Sequence, residues 1–118
     1  MDYSDGFRVL QAAREFAEQV VRMVRGLPSW APAKLRGQLA DSACSVSRNI
    51  AEGIGRGSAA DVVRFLHYAC GSLGEAQTDL RVCVNTSLID QRTFYRLWNR
   101  SLTIRKMLDA MIDKRQRE

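Results

Sequence analysis

The side chains able to do chemistry are few in this 118-residue chain, and their spacing argues against catalysis. His67 is the only histidine, and no carboxylate stands three or four residues from it on the same helical face. Cys44, Cys70 and Cys83 form no C-x-x-C pair, so they read as reduced thiols packed like small hydrophobes. Glu52, Glu75 and Asp79 do not make the Glu-x-x-His pairs that metal sites in helical bundles use, so no metal and no cofactor is expected. Gly53-x-Gly55-x-Gly57 follows a helical pattern, whereas a phosphate-binding glycine loop follows a strand. What remains is the chemistry of arginine with phosphate. Lysine and arginine total 18 against 13 acids, a net charge of +5. From Asp90 onward there are eight basic and four acidic residues. On a helical wheel Arg92, Arg96, Arg100 and Lys114 fall opposite the apolar stripe, with Lys106 at their edge and Arg115 in the charged tail. A guanidinium holds phosphate through two parallel hydrogen bonds where an ammonium offers a point charge, so this face suits nucleic acid. The competing reading is an ordinary solvated charged face.

The elements that would carry these residues are helices. Hydrophobic content of 46% with 26% charged residues is ordinary for a globular chain, and the length suits one domain over residues 1–118. No apolar run approaches the ~20 residues of a membrane span, and no secretory leader is visible, so a cytoplasmic protein is expected. Apolar residues recur at three and four in four segments, predicting helices over about 7–25, 32–53, 59–85 and 91–114. Asp2 and Asp5 suit the positive end of the first helix, whose stripe is Phe7, Leu10, Ala13, Phe16/Ala17, Val20 and Val24. The second buries Leu35, Leu39, Ala43, Val46 and Ile50; Trp30, just before it, is expected to plug the end of the bundle. The third carries a seam of Val62, Leu66, Ala69, Leu73, Ala76, Leu80 and Cys83, and the fourth one of Phe94, Leu97, Ser101, Ile104, Leu108 and Met111. Short connections between such helices predict an all-α, antiparallel, up-down-up-down four-helix bundle.

The corner between the second and third helices is written out locally. Gly53, Gly55 and Gly57 can take the positive φ of a helix end and tight turn, and Ser58 with Asp61 forms a Ser-x-x-acid cap. Glu52 lies at a helix C-terminus, where a negative charge costs about 0.3–1 kcal/mol, so Arg48 or Arg56 should compensate it. Gly71, Ser72 and Gly74 in the third helix, opposite Ser42, Ala43, Cys44, Ser45 and Ser47, predict a close approach of two backbones. Asn49, Glu52, Arg56 and Glu75 either fix the corner or form a polar contact surface.

Asn49-Ile50-Ala51-Glu52-Gly53-x-Gly55-Arg56-x-Ser58, followed by Phe65-Leu66, Ala69, Gly71-Ser72-Leu73 and Glu75, resembles the bacterial four helix bundle protein family. Its members include proteins encoded in intervening sequences of large-subunit ribosomal RNA genes, and the accessory variability determinant of diversity-generating retroelements is a more distant relative. The close match covers about residues 45–80, and Ser47 stands where the family often has proline. The resemblance implies a four-helix bundle that assembles with itself, five copies being the best single expectation. It also points toward nucleic acid, RNA above all.

Tyr95, Trp98 and Leu102 widen the apolar sector of the fourth helix onto one flank, with Arg105 on the same side. They either cover the bundle edge or form a subunit contact in which Arg105 reaches an acid of a neighbour. Two functions follow: a non-catalytic, oligomeric, RNA-associated accessory protein, or a scaffold that docks a protein partner and has no direct nucleic-acid role.

Overall fold

A computed structural model describes residues 4–118; Asp2, expected at the first helix dipole, lies outside them. The chain forms α1 (Ser4–Arg25), α2 (Ala33–Ile54), α3 (Ala59–Asn85) and α4 (Gln91–Gln116), with no strand among the described residues. Each helix packs on its neighbours in sequence and α4 returns to α1, giving an antiparallel up-down-up-down four-helix bundle measuring 48 × 22 × 18 Å. The α2–α3 pair shares the largest contact.

The seams of α3 and α4 are buried at every expected position. In α1 the register differs by one residue at its start: Gly6 is buried and Phe7 is 61% exposed. Seven residues before Ala13 the helix must be thin, because a Cβ on Gly6 would come within 3.1 Å of Ile54 and 3.5 Å of Met111. Trp30 also departs from expectation. It is 70% exposed, and the buried residue of its turn is Ala31, whose N–H donates to the Pro28 carbonyl at 3.0 Å.

The helix ends follow local chemistry. Ser58 Oγ accepts from the Asp61 N–H at 3.2 Å, and Asp90 Oδ1 accepts from the Thr93 N–H at 2.8 Å. That bond and the nearby Arg92 and Arg96 hold the Asp90 carboxyl below its usual range, the backbone bond contributing most. Asp5 lies inside the first turn of α1, where its Oδ1 accepts from the Gly6 N–H at 2.9 Å. At the end of α3, Ser87 takes φ 62° and the Leu88 N–H reaches back to the Cys83 carbonyl at 2.8 Å, the Schellman arrangement.

None of the described glycines has a positive φ, so the corner between α2 and α3 does not use the freedom expected of it. Gly55 sits at φ −80°. Gly53 is needed for space: a Cβ there would lie 3.1 Å from Phe65 Cβ and 3.5 Å from the Val62 carbonyl. Gly71 contradicts the expected close approach, since nothing stands within 4 Å of where its Cβ would be. Gly74 faces the Arg105 guanidinium at 3.6 Å. Of the small residues expected to meet between α2 and α3, Ser72 and Ser45 do, through a hydroxyl bond of 3.0 Å, and Ala43 is fully buried, as are Val46, Ala69 and Ala76.

Candidate nucleic-acid interface

Five of the six cations expected to meet nucleic acid are exposed on α4: Arg92, Arg96, Arg100, Lys106 and Lys114. Arg115 is not available. It is 2% exposed, and its guanidinium lies 3.3 Å from Asp5 and 3.7 Å from Glu118, tying the end of α4 to the start of α1. One turn past Met111 and Ile112, it falls on the inward face of a helix that runs further than the expected boundary. Arg100 reaches toward Glu15 at 3.9 Å and Lys114 toward Asp5 at 3.8 Å, so both are partly compensated. Arg92 and Arg96 form no ion pair among the described residues.

The topology adds cations that a reading along the chain does not group. An up-down-up-down bundle places the C-termini of α1 and α3 and the N-termini of α2 and α4 at one end. Arg96 accordingly lines a hollow with Gln19, Arg22 and Met23 of α1. Residues 18–40 and 78–98, which make up this end, hold seven basic and three acidic residues; the rest of the chain holds eleven and ten. Most of the net charge therefore belongs to one end of the molecule. Arg22, Arg25, Lys34, Arg36, Arg81, Arg92 and Arg96 supply it, against Glu18, Asp79 and Asp90. The α4 N-terminus is answered by the Asp90 carboxylate, but α2 has neither an acid in its first turn nor a side-chain cap, so the positive end of its dipole adds to the same field. The signal was present in the sequence as basic residues flanking the first and third connections.

The motif residues divide into a corner and a clasp. Arg56 pairs with Glu52 and lays its guanidinium over Phe65, 4.6 Å from the ring centre. Arg64 stands over the same ring at 4.9 Å, and Tyr68 meets it edge-on at 5.5 Å. Arg48 is engaged elsewhere, 3.1 Å from Asp41. Asn49 donates to the Ser45 carbonyl and hydroxyl at 2.9 and 3.1 Å, one bond from Ser72 on α3. Glu75 is not brought to this corner; it lies well along α3 in a hollow with Gln38, Asp41, Thr78 and Asp79. Burial, and then the Glu75 charge, push the Asp79 carboxyl up.

The flank of α4 is also resolved. Tyr95 is 56% and Leu102 40% exposed, while Trp98 is half-buried and stacked on Phe94 at 5.4 Å, with the Arg81 guanidinium against both rings, 4.6 Å from Trp98 and 5.3 Å from Phe94. Arg105 is occupied within its own chain, contrary to the expected reach toward a neighbour. It donates to the Cys70 carbonyl at 3.3 Å and to Gln77 Oε1 at 3.1 Å, and Gln77 Nε2 in turn donates to Ser101 Oγ at 2.9 Å. This network fills the one polar gap in the α4 seam.

The groups with other chemistry stay apart. His67 is exposed, and Cys70, three residues on, is a half-buried thiol pushed up by burial, with Cys83 raised for the same reason. No group of three metal-ligating side chains occurs among the described residues, and no described helix is long and apolar enough to cross a membrane.

Comparison with known proteins agrees with this architecture. A protein from Bacteroides thetaiotaomicron, described as of unknown function and from the S23 ribosomal protein family, has a similar solved structure. Its TM-score is 0.87 at 24% identity, over 92% of this chain and 98% of that one, a likeness of fold. None of the curated proteins matches the chain. The family model for the 23S rRNA-intervening sequence protein matches residues 6–110, most of the bundle, and the chain belongs to that family.

Proposed function

We propose that this protein is a non-catalytic nucleic-acid-binding accessory protein that works as an assembly of copies and favours RNA. One observation carries the reading: Arg92 and Arg96 are exposed, stand in no ion pair among the described residues, and occupy the first two turns of a helix. A cation in the first turn opposes the helix dipole at a cost of about 0.3–1 kcal/mol, and its pull on the exposed Asp90 cap is the lesser part of what holds that carboxyl down, so the fold gains little from having it. A polyanion does gain. Arg100, Lys106 and Lys114 extend the same helix face toward the other end. The family to which the chain belongs is described by its link to 23S rRNA, which agrees with an RNA ligand. A scaffold for a protein partner is the second reading, and the exposed Tyr95 and Leu102 favour it.

Gel retardation across a salt series separates the two. The parent should retard structured RNA at low salt, with log affinity falling by about 0.7–0.9 per phosphate contact for each unit of log salt. Arg92→Glu, Arg96→Glu and Arg100→Glu together should abolish retardation while circular dichroism stays unchanged. No retardation of any RNA or DNA by the parent at low salt overturns the proposal.

A further inference from the structure

We infer that the basic end of the bundle takes an unpaired stretch of RNA, with Trp30 as the platform on which one base stacks. This rests on the nucleic-acid reading above and adds to it a place and a ligand form. Among the described residues Trp30 is the most exposed of the large hydrophobic side chains, at 70%, and makes no contact with another aromatic ring. It is held all the same. The Ala31 N–H donates to the Pro28 carbonyl at 3.0 Å, closing a turn with Ser29 and Trp30 at its tip, and Ala31 is buried beneath. Because the turn's backbone is already fixed, only the two side-chain torsions of Trp30 need be ordered when a base lies against it. The turn is also flanked by cations on both sides: Arg22 and Arg25 end α1, and Lys34 and Arg36 begin α2. Arg96 of α4 sits beside Arg22 across the α1–α4 hollow.

An aromatic face among arginines is the recurring solution for single-stranded nucleic acid, in which cations track the backbone and the ring takes a base. A duplex does not offer the same match. Its bases are already stacked on one another, so Trp30 would meet only sugar and phosphate, whereas the looped or single-stranded regions of RNA can splay a base outward. The charge excludes an acidic peptide less firmly than the ring does, because a peptide carboxylate gains nothing from an indole face.

Fluorescence anisotropy tests this with a labelled short oligouridine and a labelled RNA duplex of equal length. Trp30→Ala should weaken oligouridine binding about tenfold, as loss of one base–aromatic stack does, and leave duplex binding within about twofold. Trp30→Phe should restore most of the loss. Because Trp30 lies outside the core, neither variant should change helicity. Lys34→Glu with Arg36→Glu should weaken both ligands. If Trp30→Ala leaves oligouridine binding unchanged, or the Lys34/Arg36 variant binds like the parent, the end-on site is overturned. In either case the reading on α4 survives, provided the Arg92/Arg96/Arg100 variant still loses binding. If the parent binds neither RNA, both fail together.

Discussion

Two glycines that look alike in the sequence do opposite things in the fold. Gly53 is buried where α2 crosses α3, and a Cβ would meet the Cβ of Phe65, which is fixed to backbone and cannot swing aside. Gly71 faces open space in the middle of α3. Glycine in a helix costs roughly 1 kcal/mol relative to alanine, so Gly71→Ala should stabilise the single chain by up to about that amount. Gly53→Val should destabilise by about 1–3 kcal/mol through overpacking, since valine adds branches where even a methyl is tight. Chemical denaturation of the two variants checks both signs. A stable Gly53→Val protein would mean that the corner can open without loss. The sequence marks both positions as glycine and distinguishes neither, because the difference lies in what a second helix brings opposite.

At the scale of the helix, legibility follows the source of the information. The seams of α3 and α4 could be read residue by residue, because an apolar repeat at three and four is a property of one helix. The caps at Ser58 and Asp90 were readable for the same reason. Phe7 and Arg115 depart from the reading because their surroundings are set from elsewhere: Gly6 takes the inward place under Ile54 and Met111 and turns Phe7 outward, and Arg115 faces Asp5 from the other end of the chain. Trp30 stands out into solvent where a plug was expected. Arg115 closes the bundle end and yields a sharp asymmetry. Asp5→Ala leaves a buried guanidinium with less compensation and should cost about 2 kcal/mol, below the 3–5 kcal/mol of a fully buried pair because Asp5 is partly exposed and Glu118 remains near. Arg115→Met removes the buried charge itself, keeps the apolar contacts, and leaves Asp5 to Lys114 and water. It should cost less, about 1 kcal/mol or under, and the double variant should be no worse than Asp5→Ala alone. Urea titration of the three variants orders them. An Arg115→Met protein less stable than Asp5→Ala would show that the guanidinium does more than answer Asp5.

For the molecule as a whole, charge and apolar surface are separated in a way that suits assembly. The basic end gives way along the α2–α3 face to Asp79 at its margin and then Glu75 and Asp41 beyond it; the α3–α4 side bears Tyr95, Val82 and Leu102, all at least 40% exposed. Unlike surfaces on one chain favour head-to-tail contacts, which close as rings when the rotation permits. A ring would repeat the basic end in several copies around one rim and multiply weak RNA contacts into strong ones. The contact itself should use the outward side chains. Trp98 is half-buried in a cluster with Phe94 and Arg81 and belongs partly to its own bundle, so a charge there would injure the fold as well as any interface. Leu102 and Tyr95 are the cleaner probes. Light scattering at micromolar concentration should give a mass several times 13.3 kDa, with five copies the best single expectation. Leu102→Glu with Tyr95→Glu should reduce it to one copy without loss of helical signal, because neither side chain belongs to the core. It should also weaken RNA binding more than two added negative charges alone would, since avidity goes with the ring. A parent mass near one copy rejects assembly, and an unchanged mass in the double variant moves the interface off this flank.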